Sequence, residues 1–285
     1  MKLYKYREFN QFLIKGICGS EIYFSDPKKF NDPLDCSPIV INDLELNDLE
    51  KLCCAMIVKN DSASKPSELL NNFKYDCQEC DDIDQQKASY TYQIENEIKK
   101  QLDLIMKTKG VLSLSSNVNS PLMWSHYADE HRGISLEYDM DTSVYDRPKE
   151  IDYNAPRGIS AKLIAEFILR GSEKAGEDIE FQYFFTKANE WKYECEWRSI
   201  SDASGCNQAS FELTGVYFGM RCESSVVASI IKLLHTETSK VKFYQMRPDS
   251  LSFELHQHLL EPYERISSIP KQSPILAFRG HEILN

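Results

Sequence analysis

Lys187-Ala-Asn-Glu-Trp-Lys-Tyr-Glu-Cys-Glu-Trp-Arg198 packs two tryptophans, a tyrosine, three acids and three bases into twelve residues. Alternation from Tyr193 to Ile200 predicts a β-strand, because successive side chains on a strand point to opposite faces. On that strand Glu194, Glu196 and Arg198 share one face, and Tyr193, Cys195 and Trp197 share the other. Two carboxylates roughly 7 Å apart on one face repel each other unless a cation or ligand intervenes. Arg198 is one candidate for that cation, in a structural ladder of ion pairs. The other reading is a site where paired acids do chemistry.

Outward from this stretch, the chain alternates between strand-like and helix-like text. Residues 3–7 predict an opening strand, residues 8–15 a helix ending at Gly16, and residues 21–25 a second strand running into Asp26-Pro27. Phe30-Asn-Asp-Pro-Leu-Asp35 combines turn formers with two acids. From about 43 to 109 the period becomes helical: Leu44, Leu46, Leu49, Leu52 and Met56 recur, as do Ile94, Ile98, Leu102 and Ile105. This region predicts a helical insertion. Strands are then expected at 110–115, 133–138, 215–219, 241–246 and 251–255, and helices at 122–128, 159–171 and 224–234. The tail from about 262 to 285 reads as peripheral. With no internal repeat or low-complexity linker, one α+β domain over 1–285 is the expected organisation.

Composition narrows the function classes. At 285 residues, with 42% hydrophobic and 11% aromatic residues, the chain can bury a substantial core. A net charge of −11 argues against a dedicated duplex-DNA binder, which needs a concentrated basic face. The start has no apolar signal region and no apolar run reaches membrane-spanning length, so no membrane partner is expected. Nine cysteines lie scattered without a disulfide framework, which fits a reducing cytoplasm. Only Cys77-Gln-Glu-Cys80 has the close spacing of a metal or redox pair, and no second pair partners it. His126 and His131 are five apart, a poor spacing for two ligands on one helix face, so no metal site is expected.

Four segments hold the concentrated polar and aromatic content. They are Leu3-Tyr-Lys-Tyr-Arg7, Phe30-Asn-Asp-Pro33, Ser113-Leu-Ser115 with Pro121-Leu-Met-Trp-Ser-His-Tyr-Ala-Asp129 and Gly133-Ile134, and Trp191-Lys-Tyr-Glu-Cys-Glu-Trp-Arg198. Their order and wording resemble an uncharacterised bacterial family, domain of unknown function 2971, for which the resemblance implies no activity. The order Arg on a first strand, Ser-x-Ser on a later one and Glu-x-Glu on a third is also similar to the arginine-serine-glutamate class of ADP-ribosyltransferases. That resemblance implies a split mixed or antiparallel sheet core carrying the helical insertion, with NAD as substrate. It implies that Arg7 pairs with the diphosphate, and that Ser113 or Ser115 fixes strand geometry or bonds the nicotinamide ribose. Tyr127 or Trp124 would stack on the nicotinamide, and His126 would polarise substrate or hold a loop.

In that chemistry, breaking the nicotinamide–ribose bond develops positive charge on the ribose. Glu196 would hold a ribose hydroxyl and stabilise the charge, and Glu194 would orient or deprotonate an acceptor. The acceptor, whether protein, nucleic acid or water, is open. Water would make the protein a glycohydrolase, and either activity suits a bacterial toxin or phage-defence effector. Two alternatives stand beside this. A Mg²⁺-dependent nuclease or phosphoesterase would use Asp32, Asp35, Glu194, Glu196 and Lys187. A non-enzymatic sensor or interaction protein would use the same residues as ion pairs, with Arg198 or Lys187 neutralising Glu196.

Overall fold

The computed structural model describes residues 1–79, 82–143, 147–236 and 238–267. Its strands are β1 (Lys2–Arg7), β2 (Glu21–Phe24), β3 (Ile39–Ile41), β4 (Gly110–Ser115), β5 (Ile134–Asp139), β6 (Lys149–Glu150), β7 (Gly158–Ser160), β8 (Glu196–Ser201), β9 (Gly205–Gln208), β10 (Glu212–Phe218), β11 (Lys242–Pro248) and β12 (Leu255–Leu259). Helices are α1 (Gln11–Gly19), α2 (Leu46–Asn60), α3 (Pro66–Asp76), α4 (Ile83–Met106), α5 (Pro121–Tyr127), α6 (Ala161–Arg170), α7 (Glu173–Phe184), α8 (Ser224–Leu234) and α9 (Pro262–Ser267). Eight strands form one mixed sheet in the order β12-β11-β10-β5-β1-β4-β8-β6. Only β10 and β11 run parallel in it, and α8 makes the crossover between them. The fold is α+β, as the alternation of strand and helix periods predicts.

The middle of the sheet is its weakest seam. β5 pairs with β1 along all six of its residues, and β8 pairs with β4 along all six. Between β1 and β4 the only paired residues are Tyr4 and Ser115. Further along β4, Ser25 takes the place of β1, exchanging two backbone hydrogen bonds with Val111 at 2.8 and 2.9 Å. Ser113 therefore lies on a stretch of strand edge with no backbone partner from β1. The Lys5 ammonium donates to its carbonyl oxygen at 2.7 Å and satisfies the acceptor that the missing ladder leaves.

Hydrophobic packing follows from the strand alternation. Leu3, Leu112, Leu114, Leu136, Val216 and Phe243 project to one face, beneath Leu13 of α1 and Ile230 and Ile231 of α8. A second cluster gathers α2, α4, α6 and α7 through Leu49, Leu52, Met56, Ile94, Ile98, Leu102, Ile164 and Phe184. A third and smaller cluster sets Trp124 of α5 against Tyr6 and Tyr217. Caps fix where the helices begin. Asn10 accepts from the backbone of Phe12 and Leu13, Ser120 from Met123, and Ser160 from Leu163.

Several predicted elements differ in extent, among them the helix expected at 8–15, which Asn10 caps and which runs Gln11–Gly19, and the strand expected at 215–219, which runs Glu212–Phe218. The helix expected at 159–171 starts only at Ala161, because residues 158–160 pair with β3 as a strand and Ser160 caps the helix. The strand expected at 251–255 is β12 instead, since Asp249 accepts from the backbone of Leu251 and Ser252 and folds those residues into a turn. The strand expected from Tyr193 starts at Glu196. Eight cysteines, including Cys77, are free thiols, while Cys80 and the tail beyond residue 267 lie outside the described residues. Among the described residues no helix is long and apolar enough to cross a membrane.

Candidate functional site

The register of β4 against β8 sets Ser113 opposite Arg198 and Ser115 opposite Glu196, so all four share one sheet face with Tyr4. Glu194 reaches the same place by another route. Residues 189–194 form a 3-10 turn, and Cys195 then takes a left-handed conformation with φ 45° before β8 begins. One residue of reversed backbone brings Glu194 back beside Glu196. The predicted strand alternation over 193–195 is thus replaced by a turn, yet both carboxylates converge as expected.

Arg198 is the centre of the arrangement and is 1% exposed. Its Nε and Nη2 donate to the two oxygens of Glu196 at 2.8 and 3.0 Å. Nη1 and Nη2 donate to the two oxygens of Asp35 at 2.9 and 2.6 Å, and Nη1 also reaches the Phe184 carbonyl oxygen at 2.8 Å. The fork geometry of guanidinium makes this double bidentate grip possible. Lys187 supplies the second buried cation. Its Nζ donates to Glu194 and, at 3.1 Å, to Glu196, lies 3.4 Å from Asp35, and sits 4.9 Å over the Trp191 ring. The Tyr127 hydroxyl donates to the remaining Glu194 oxygen at 2.6 Å. All six oxygens of Asp35, Glu194 and Glu196 thus face a cation or Tyr127.

The two glutamates differ in ionisation despite similar burial, at 3% exposed for Glu194 and 4% for Glu196. Burial opposes charge on Glu196, but Arg198 and Lys187 beside it win and hold its carboxyl down to about 2. Burial pushes the Glu194 carboxyl up; Lys187 works against that shift and the charge of Glu196 adds to it. Three carboxylates against two cations leave one formal negative charge in excess.

A pocket of about 350 Å³ opens over this cluster. Tyr4, Tyr6, Phe30 and Tyr127 form its aromatic walls, His126 stands beside Tyr127, and Ser113 and Ser115 belong to its lining. The Ser115 hydroxyl donates to the Glu194 carbonyl oxygen at 2.6 Å and accepts from the Asn117 backbone at 3.1 Å, so it holds the turn rather than pointing freely into the space. Asn31 donates to the Tyr127 hydroxyl at 3.3 Å, while Asp32 accepts from Trp191 Nε1 at 2.8 Å. Trp124 is buried in the core, its Nε1 bonded to the Val118 carbonyl oxygen at 2.7 Å, and takes no part in the pocket. Arg7 also stands apart. It shares the alternate face of β1 with Leu3 and Lys5, and its titratable neighbours include Tyr138, Cys206, Glu8 and Tyr23.

Lys5, Lys29, Phe30 and Tyr153 belong to the site without having been singled out as candidates. Tyr153 accepts the Glu196 backbone N–H at its hydroxyl, at 2.9 Å. Lys5 carried a legible signal: a lysine at an alternate position of a strand whose phase-mates include the buried Leu3. Lys29 ends a short 3-10 helix, Pro27–Lys29, and Phe30 and Tyr153 lie in loops, where no period marks facing residues.

Residues 123–199 match the family described as protein of unknown function (DUF2971). The matched segment runs from α5 to the middle of β8 and includes Tyr127, Tyr153, Lys187, Glu194, Glu196 and Arg198. The resemblance read from the motifs is borne out over that segment. No curated protein and no solved structure matches the chain.

Proposed function

We propose that the protein is an NAD-consuming enzyme of the ADP-ribosyltransferase kind, acting as a glycohydrolase when water is the acceptor. The observation that carries this reading is the pair of adjacent carboxylates with oppositely displaced ionisation at the floor of an aromatic-walled pocket. Environments that push two acids apart assign them different roles. Glu196, fully ionised at neutral pH, supplies the standing negative charge that an oxocarbenium-like ribose needs as nicotinamide departs with the electron pair of the broken bond. Glu194, whose carboxylate burial makes more basic, takes the acceptor's proton as the new bond to ribose forms, with Tyr127 orienting it. Tyr4, Tyr6 and Phe30 offer apolar faces to a flat ring. An activity that drains NAD in a reducing cytoplasm is the behaviour of a bacterial toxin or phage-defence effector.

The test is incubation of the purified protein with NAD, with and without cell extract, followed by measurement of free nicotinamide and of labelled macromolecules. Nicotinamide release that Glu196→Gln abolishes is the expected result. No release and no labelled product from the parent protein would sink the reading.

A second reading rests on the saturation of the six carboxylate oxygens, which suits a charge network that specifies the fold of a sensor or interaction protein. It predicts that Glu196→Gln lowers the melting temperature and that NAD stays intact. The same saturation weighs against the Mg²⁺ alternative, because a metal would have to displace Arg198 or Lys187 from these oxygens.

A further inference from the structure

Formal charges around the pocket do not balance within the buried cluster alone. Lys187 and Arg198 are committed to Asp35, Glu194 and Glu196 at 3.4 Å or closer. Two further basic residues line the pocket, Lys5 and Lys29, and among the described residues neither has a carboxylate within ion-pair distance. Lys5 rises through the seam between β1 and β4, where the Ser113 carbonyl oxygen is its hydrogen-bond partner among the described residues, and Lys29 stands exposed in the segment after β2. A half-buried ammonium that faces a cavity and donates to a neutral carbonyl oxygen is poorly compensated, and an anion beside it improves that compensation.

We infer that Lys5, with Lys29 at the rim, anchors a phosphate-type anion in this pocket, taking the diphosphate role expected of Arg7, which does not line it. For the identity of that anion the assignment rests on the dinucleotide reading above; the geometry itself asks only for a phosphate or diphosphate group. Placing the anion along Lys5 sets the other end of a dinucleotide over Glu194 and Glu196, which line the same pocket. Burial, with Arg7 nearby, brings the Lys5 amine down to about 7, while Glu196 opposes that shift and Arg198 adds to it. An anion in contact would reverse the shift, so binding is expected to draw in a proton.

Titration calorimetry with inorganic pyrophosphate and with ADP-ribose, in two buffers of different ionisation enthalpy, tests the assignment. The parent should bind both with proton uptake near pH 7. Lys5→Met should weaken both by about tenfold or more, the loss of one charge-assisted contact, and abolish the uptake. Lys5→Arg should restore much of the affinity, and Lys29→Met, at an exposed position that leaves folding unchanged, should weaken binding by a few-fold. No binding by the parent, or parent-like binding by both methionine variants, overturns the inference. Pyrophosphate binding that depends on Lys5, without any nicotinamide release, would keep the anion site and discard the NAD-consuming reading. Nicotinamide release with an unchanged KM in Lys5→Met would do the reverse.

Discussion

Arg198 has no spare hydrogen-bonding capacity: its donors are divided among Glu196, Asp35, the Phe184 carbonyl oxygen and the Cys36 sulfur. Removing one partner leaves a buried charge uncompensated, at a cost of about 3–5 kcal/mol. Glu196→Ala and Asp35→Ala should therefore each shift a urea unfolding midpoint strongly downward. A catalytic role for Glu196 does not exempt it, so a stability loss alone does not separate structural from catalytic function, and product release has to be measured as well. The depressed Glu196 carboxyl also sets a pH dependence. Its folded value lies near 2 against an ordinary 4.5, so its contribution is complete above about pH 4.5 and vanishes as pH falls toward 2. Unfolding free energy measured across that window should fall by about 3 kcal/mol more in the parent than in Glu196→Gln. Glu194 is displaced upward, in part by the charge of Glu196, and acts in the opposite sense, so it offsets part of this difference as well as part of the whole-protein trend. Tyr127→Phe removes one donor to Glu194 while keeping the ring. It should lower nicotinamide release by about tenfold and cost only about 1 kcal/mol of stability, both measurable on one preparation.

The turn at Cys195 decides whether the two glutamates meet. A β-branched residue there opposes the left-handed backbone at φ 45°, so Cys195→Val should destabilise by about 1–2 kcal/mol in a thermal melt, whereas Cys195→Gly should be close to neutral. Nothing in the alternating text of residues 193–200 marks this reversal, because cysteine carries no turn signal. That is why the strand was legible and its first residue was not. The helix Ser224–Leu234 coincided with its prediction because its apolar positions repeat at helical spacing over three turns. β12 was misplaced because Leu251 and Phe253, almost fully exposed, imitate a strand while Asp249 folds them into a turn. The convergence of Ser113, Ser115, Glu194, Glu196, Tyr127 and His126 on one pocket could be anticipated from alternation and motif order. The departure of Arg7 could not, since alternation places it beside Lys5 without saying that the seam lets only Lys5 through.

At the scale of the molecule, Arg198 joins three bodies: the sheet through Glu196, the loop after β2 through Asp35, and the helical layer through the end of α7. Trp124, Trp191 and Trp197 lie outside that layer, whereas α2, α4, α6 and α7 supply much of the helix. Tryptophan fluorescence and far-ultraviolet circular dichroism should accordingly report one coincident urea transition in the parent protein. In Ile98→Ala, which opens a cavity in the helical core, that transition should move down by about 2–5 kcal/mol and stay coincident. Saturated bonding has a further consequence, for descent. Because each member of the set Asp35, Lys187, Glu194, Glu196 and Arg198 satisfies at least one other, a lineage that changes one alone crosses a deep fitness trough. These five positions are expected to be inherited as a block, or exchanged as one.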